Sequence, residues 1–381
     1  MASKFYDTAR VERAVLAQVV LTRNDAAEAA DSLAELARLA DTAGLEVVGQ
    51  LTQNRERPDG GTLLGSGKVE ELRVVLEQTQ ANTVVFDNPL NAIQAHQLGK
   101  TLRGIRVLDR TEVILEIFAR RARSAEAKIQ VELAKTAFLL SRIPETEAQQ
   151  RFGGGGTGLR GPGESHLHLR NAPLRRRITD LKRKLETIRK RQTDQSRAHR
   201  QWPVVSLVGY TNAGKSTLLN AFTRADAYVD DRLFPTLDTK TRHAWLSPAR
   251  QVLLTDTVGF IRNLPHNLVA CFKSTLQTAV DSDLLLVVVD ATSPRLADHI
   301  AVCRETLKEI GAEGVPHLLV LNKCDEGRAG HAVLHATEAY PQAVPVSARS
   351  GYGLDLLKQA MIEELQRCCT LWRLPSAISE I

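Results

Sequence analysis

Through its first hundred residues the chain alternates between two hydrophobic periods. Val15–Leu21, Leu45–Leu51, Thr83–Asp87 and Arg106–Asp109 are short apolar runs that read as strands. Between them Ala26–Ala43, Lys68–Gln78 and Asn91–Leu102 carry apolar positions at helical spacing. Strands alternating with helices predict βαβ units and a small parallel sheet. From about Glu112 the pattern becomes helical. Ile129, Leu133, Thr136, Leu140 and Ile143 step by four and three, and Leu174, Ile178, Leu181, Leu185 and Ile188 repeat the steps. A glycine-rich connector, Phe152–Gly163 (FGGGGTGLRGPG), separates the two stretches, so the pattern predicts an antiparallel helical hairpin with arms of similar length. From Trp202 the alternation returns, with an apolar strand at Val204–Val208, a glycine loop and a helix. The expected division is an α/β domain over 1–111, a hairpin over 112–200, a second α/β domain over 201–369 and a tail over 370–381.

With 381 residues, 43% of them hydrophobic and 25% charged, the chain can bury a full core without disulfide staples. Its longest apolar runs, such as Leu284–Val289, fall far short of the roughly 20 residues that span a bilayer. Met1–Arg10 carries charges and no apolar segment, which argues against a secretory signal. The five cysteines (Cys271, Cys303, Cys324, Cys368 and Cys369) show no CxxC spacing, which points to a reducing cytoplasm and away from a zinc module.

The net charge of +6 is unevenly spread. Residues 1–150 hold 19 Lys/Arg against 21 Asp/Glu, residues 201–381 hold 17 against 19, and residues 151–200 hold 14 against 4. A solvated helix face is the bland explanation of such a run, but a block this concentrated between two acidic flanks marks a polyanion contact, here nucleic acid. Arg151 and Arg160 are the cations of the glycine-rich connector, whose backbone can approach a polyanion closely. The arm behind it carries Arg175, Arg176, Arg177, Lys182, Arg183, Lys184, Arg189, Lys190 and Arg191. Few aromatics accompany these cations, so recognition of phosphate or shape is expected rather than base stacking.

Two glycine loops invite comparison with a phosphate loop. Leu64–Lys68 (LGSGK) lacks the upstream glycine and has Val69 where Ser or Thr is needed, so it reads as a turn into a helix. Gly209-Tyr210-Thr211-Asn212-Ala213-Gly214-Lys215-Ser216, by contrast, is the complete GxxxxGK[ST] pattern between a strand and a helix. There backbone N–H groups and the helix N-terminus surround the phosphates, Lys215 reaches the β- and γ-phosphates, and Ser216 ligates Mg²⁺.

Three more motifs follow in order. Asp256-Thr257-Val258-Gly259 starts 40 residues after Ser216. Its carboxylate would reach Mg²⁺ through water, and the Gly259 N–H would sense the γ-phosphate. Asn322-Lys323-Cys324-Asp325 ends an apolar strand. Asp325 would accept hydrogen bonds from guanine N1 and N2, while Asn322 and Lys323 brace the phosphate loop and base. Adenine lacks those donors, and an unpaired buried carboxylate is costly, so the motif selects guanine. Ser347-Ala348-Arg349 would offer a backbone N–H to guanine O6. Between the phosphate loop and Asp256 lies Phe234-Pro-Thr236-Leu-Asp238, a segment whose Thr236 is chosen to complete the Mg²⁺ shell, with Thr239 and Thr241 as alternatives. The expected catalytic groups are Lys215, Thr236 and Gly259. Phe260 stands where a Ras-like site carries its water-orienting Gln, so unaided hydrolysis should be slow. Hydrolysis would then need a group from a partner, from nucleic acid, or from a monovalent cation such as K⁺. For Asn212, ligation of such a cation and a structural loop hydrogen bond both remain open.

These residues resemble a known family. The stretch from Asp256 through Phe-Ile-Arg-Asn-Leu-Pro-His266 and on through Asn-Leu-Val-Ala-Cys-Phe is similar to the switch II signature of the HflX family of ribosome-associated GTPases. Gly158-Leu-Arg-Gly-Pro-Gly-Glu164 resembles that family's hairpin loop, and Leu64–Leu72, Val107–Thr111 and Gly209–Ser216 are similar as well. The resemblance covers essentially the whole chain. It implies an N-terminal parallel α/β domain with a helical hairpin, joined to a Ras-like P-loop GTPase domain. It also implies binding to the large ribosomal subunit and its RNA, with the hairpin loop near the peptidyl-transferase region, and splitting of stalled or idle ribosomes. The protein is expected to be a cytoplasmic, partly ribosome-associated monomer. Two departures stand out. After Glu164 the sequence reads Ser-His-Leu-His168, and beyond Trp372-Arg-Leu-Pro375 it runs only to Ile381 where many members carry a further small domain. A GTP-switched RNA chaperone or assembly factor, in which hydrolysis times release, is the rival reading. An ATP-driven remodeller is disfavoured by Asp325.

Overall fold

The structure, a computed structural model, describes residues 12–21, 26–143, 163–198, 201–223, 233–234, 239–262, 276–325, 333, 335 and 338–368, with side chains of the long basic helix described over 171–188. The chain divides into two compact units, one of residues 1–120 with 132–181 and the other of 121–131 with 182–381.

The first unit alternates as its hydrophobic pattern requires: β1 (Glu12–Leu21), α1 (Ala26–Thr42), β2 (Leu45–Arg55), α2 (Ser66–Thr79), β3 (Thr83–Phe86), α3 (Ala92–Thr101), β4 (Arg106–Asp109) and α4 (Arg110–Arg121). The strands form one all-parallel sheet in the order β2-β1-β3-β4. Val15, Ala17 and Val19 of β1 and Val84 and Phe86 of β3 join one cluster with Leu72 and Leu76 of α2 and Leu98 of α3. The LGSGK segment is a turn into α2. Leu64 is fully buried, Gly65 is the helix N-cap, and its N–H donates to Gln53 at 2.9 Å.

Open parallel sheets bind ligands beyond the carboxyl ends of the strands, where the strand order reverses. In this unit that point lies between β1 and β3, and protein side chains fill it. Asn88 accepts from the Val19 N–H at 2.7 Å and donates to the Val19 carbonyl at 3.0 Å. Beside it Asp87 accepts from Gln18, Ser32 and Arg110. Arg110 is buried and also pairs with Glu35 of α1, so two carboxylates keep it charged against the penalty of burial.

α5 (Ala125–Ser141) and α6 (Gly163–Ala198) supply the helical region. Between 173 and 188 the five positions Leu174, Ile178, Leu181, Leu185 and Ile188 are buried or half-buried and all the others are exposed, as the heptad spacing predicts. Arg177 reaches Glu132 of α5 at 2.8 Å through Nε. The arms differ in length, however, with 17 residues in α5 and 36 in α6. Lys, Arg, Gln and Glu are good helix formers, so α6 continues past its last seam position. α5 is also buried more broadly than one seam, since Ala127, Gln130, Val131 and Ala134 join Leu133 and Thr136 in the interior.

The second unit holds β5 (Val204–Gly209), α7 (Lys215–Thr223), β6 (Lys240–Ser247), β7 (Arg250–Asp256), β8 (Leu284–Asp290), α8 (Leu296–Ile310), β9 (His317–Asn322), β10 (Val344–Pro345) and α9 (Leu354–Cys368). Its six-stranded sheet runs β10-β9-β8-β5-β7-β6, parallel except for the edge pair β6–β7. Val205, Leu207, Leu286 and Val288 of the central strands pack with Leu218 of α7 and Leu357, Met361 and Leu365 of α9. Among the described residues no helix is long and apolar enough to cross a membrane.

At the end of β4, Arg142 pairs with Asp109 and lies 3.8 Å from Glu112. Burial and the neighbouring Asp109 carboxylate push Glu112 up to about 7, although Arg142 opposes them. A carboxyl whose pKa is raised on folding binds its proton more tightly in the native state, so stability falls as pH rises from the unfolded value through the folded one. Glu112→Gln should therefore stabilise the first unit above pH 7 and leave it unchanged below about pH 4.5. Urea unfolding of both proteins across that pH range, followed by hydrogen exchange in β3 and β4, measures the difference.

Candidate nucleotide site

The phosphate loop connects β5 to α7, and its backbone lies too close to its neighbours for most side chains. Gly209 has φ +145°, and a Cβ there would sit 2.0 Å from the Val288 carbonyl oxygen. Gly214 has φ +89°, with Asn322 Nδ2 at 2.2 Å from the same hypothetical atom. Lys215 is buried at the start of α7 and donates to the Gly209 and Tyr210 carbonyls at 3.0 and 2.9 Å. Burial lowers its pKa, and the Asp256 carboxylate pulls in the opposite direction.

The other motifs converge on this loop. Asp256 ends β7, is fully buried, and accepts from the Ser216 hydroxyl at 2.6 Å. A hydroxyl and a carboxylate side by side are the hard oxygen donors that Mg²⁺ takes, with water completing its shell, so the residues present fit that ion. Thr257 is turned inward and donates to the Leu207 carbonyl at 2.7 Å, and Val258 is buried. Gly259 follows at close range, for a Cβ on it would lie 2.8 Å from Thr211 Cα and 3.1 Å from Lys215 Nζ. Phe260 then joins the loop through its backbone, donating to Gly209 at 2.9 Å and accepting from Thr211 at 2.7 Å, while its ring is buried.

In the 322–325 motif, Asn322 donates to the Ala213 carbonyl at 2.8 Å and accepts from the Ala348 N–H at 3.0 Å, so one buried amide ties the phosphate loop to the Ser347–Ala348 turn. Lys323, in the left-handed region at φ +67°, pairs with Asp290 at 2.8 Å. Asp325 and Arg349 are exposed, and Ser347 is buried. Phe234 is buried, with φ +53°, and its N–H donates to Thr211 at 3.2 Å. Asn212 also adopts a positive φ, +61°, and is exposed. Thr241, one alternative to Thr236, lies within β6 with its hydroxyl 2.9 Å from that of Thr255. Thr236, Asp238, Arg151 and Arg160 lie outside the described residues. Arg175, Arg176, Arg177, Lys182, Arg183 and Lys184 are all exposed on α6.

Several contacts at the site have no signal in the motifs. The Tyr210 ring stacks on His299 of α8, Arg262 and Arg295 both donate to Asp298, and Cys303 is buried behind the loop. Burial pushes the Cys303 thiol up to about 12, so it behaves as an apolar core residue. Asp298 is raised by burial, but its bonds with Arg295 and Arg262 outweigh this and hold it below the usual carboxylate range. Helical periodicity could mark α8 but could not identify which loop its polar residues meet.

Comparison with known proteins matches this geometry. Three family models cover most of the chain: "GTP-binding GTPase N-terminal" over residues 30–119, "GTP-binding GTPase Middle Region" over 121–200 and "50S ribosome-binding GTPase" over 204–323. The GTPase HflX of Caldanaerobacter subterraneus is 44% identical over 360 residues, covering 93% of this chain and 81% of that protein. The GTPase HflX of Escherichia coli is 41% identical over 357 residues, covering 93% and 83%. A crystal structure of the SsGBP–GDP complex aligns over 95% of this chain and 99% of its own, with 26% identity and a TM-score of 0.51. The chain belongs to the HflX family of GTPases: it binds guanine nucleotide, and it is a GTP-hydrolysing enzyme.

Proposed function

We propose that this GTPase binds the large ribosomal subunit through its basic hairpin and uses its nucleotide state to split stalled or idle ribosomes in the cytoplasm. The observation that carries this reading is the face of α6. A buried seam orients the helix, and Arg175, Arg176, Lys182, Arg183 and Lys184 are left exposed beside it. The description "50S ribosome-binding GTPase" of the model matched over 204–323 supports the same partner. The functional parts are the α/β domain over 1–111, the hairpin over 112–200 and the GTPase domain over 201–369, with Arg151 and Arg160 adding charge at the hairpin tip.

At the nucleotide site each residue has a task. Lys215 holds the β- and γ-phosphates, Ser216 and Thr236 ligate Mg²⁺, Asp256 orients its water, and the Gly259 N–H meets the γ-phosphate. Mg²⁺ neutralises phosphate charge when bound. Asp325 receives the guanine N–H groups, and the Ser347-Ala348-Arg349 turn offers a backbone N–H to O6. The buried Phe260 ring cannot orient water, so turnover is slow until the ribosome supplies the missing group or a K⁺ ion at Asn212 does so.

Subunit separation followed by light scattering, with ribosomes and GTP or a non-hydrolysable analogue, tests the function. Separation is expected, with GTP turnover raised by orders of magnitude on ribosomes. Binding without separation in either nucleotide would favour the rival assembly-factor reading. At the base site, Asp325→Asn should weaken GTP binding and shift preference toward xanthine nucleotides, because an amide replaces an acceptor with a donor. Unchanged guanine preference in competition would overturn the assignment.

On the arm, reversing the charges of Arg175, Arg176 and Arg183 should weaken ribosome binding and flatten its salt dependence by roughly one unit of slope per lost contact, leaving nucleotide affinity unchanged. Arg177 is spared in that variant because it pairs with Glu132. Shortening 153–163 should instead preserve binding and abolish splitting. Intact splitting in that deletion would make the tip a mere linker.

A further inference from the structure

The phosphate-loop motif uses backbone at position 210, and no task falls to the Tyr210 side chain. That ring is buried and lies on the His299 imidazole with centroids 4.0 Å and planes 13° apart. Its hydroxyl accepts the backbone N–H of Arg262 at 3.1 Å. Arg262 is held a second time, because its guanidinium donates to Asp298 at 2.7 Å, and Arg295 donates to the same oxygen at 3.1 Å. Asp298 and His299 are neighbours on α8, so one turn of that helix receives both attachments. Two residues earlier, Phe260 is paired through its backbone to Gly209 and Thr211.

We propose that Tyr210, His299, Arg262 and Asp298 are positioning residues for GTP hydrolysis, a strap that fixes the turn after Gly259 so that the Gly259 N–H is in place before charge develops on the γ-phosphate. A donor fixed in advance needs no reorganisation at the moment of reaction, which is where such groups gain their effect. The contacts fall on residues 260–262, immediately beyond the sensing peptide. α8 does not need them to stay folded, for Ile300, Cys303, Leu307 and Ile310 already bury it against the domain. The hydroxyl is the telling atom. A phenylalanine would stack on His299 equally well, and only the oxygen reaches Arg262.

The inference rests on the assignment of Gly259 to the γ-phosphate, so the experiment carries a control for that site. Single-turnover and steady-state GTP hydrolysis, GDP affinity and thermal melting are measured on the full chain and on Tyr210→Phe, Asp298→Asn, Asp298→Glu and Lys215→Ala. Tyr210→Phe and Asp298→Asn should each lower kcat about fivefold, the effect of one net hydrogen bond. GDP affinity should not move, melting temperature should fall by no more than a few degrees, and Asp298→Glu should regain most of the rate. The double variant Tyr210→Phe/Asp298→Asn should lose less than the product of the single losses, since both act on one turn. Unchanged kcat in both single variants, with turnover abolished in Lys215→Ala, would overturn the strap alone. GDP affinity falling in step with kcat would reduce it to packing. Full turnover in Lys215→Ala would overturn the site assignment and the strap together.

Discussion

The nucleotide site depends on glycine backbone approaching its neighbours at distances that exclude a side chain. Gly209 lies against the Val288 carbonyl, Gly214 against the Asn322 amide, and Gly259 against Thr211 Cα. Each contact joins the β5–α7 loop to a different neighbour, namely β8, the end of β9 and the end of β7. The sheet order makes this possible, because β5 lies between β8 and β7 and delivers its loop where all three strands end. Phosphate, metal and base motifs that are distant in sequence thereby become a single object. A Cβ at Gly209 would collide with a peptide carbonyl that is locked in a parallel ladder and cannot retreat.

Arginines serve two opposite purposes in this chain. Arg110 is buried in the first unit between Glu35 and Asp87, and Arg142 is held by Asp109, so these cations are spent on holding elements together. Arg175, Arg176 and Arg183 of α6 face water beside an apolar seam, and among the described arginine side chains of α6 only Arg177, with Glu132, is held in an ion pair. The same residue type contributes to the fold where carboxylates surround it and, on the proposed function, to recognition of a polyanion where they do not. The sequence difference is visible in the local balance of 14 Lys/Arg against 4 Asp/Glu over 151–200.

What was legible in the sequence was what is local or periodic. Strands β1 to β5 and β9 fall on the runs read as strands, and the α6 seam matches its heptad positions one for one. The phosphate loop and its partner motifs have fixed spacing because their chemistry demands it. The wider burial of α5 was not legible, since a helix packed on more than one side has no single stripe. Nor was the Arg110 network, or the meeting of Tyr210 with His299, 89 positions apart in the numbering and joined only by the return of α8 beneath the loop. Lys323 shows the limit of motif reasoning most sharply, for its ammonium pairs with Asp290, a residue outside every motif.

Phe260 links the fold to the chemistry. An amide at that position would have to face water in order to orient it, whereas the phenyl ring is buried and carries the turn after Gly259 into the domain's interior. Its backbone closes onto Gly209 and Thr211 on both sides, so the apolar side chain and the two hydrogen bonds hold the same few atoms. With Gly259 assigned to the γ-phosphate as proposed, this turn would give a well-fixed sensing peptide and no water-positioning side chain at position 260. On the proposed function that exchange suits the task. Hydrolysis slow in solution and completed by the ribosome keeps GTP intact until the hairpin has docked, so the omission at position 260 acts as the timing device.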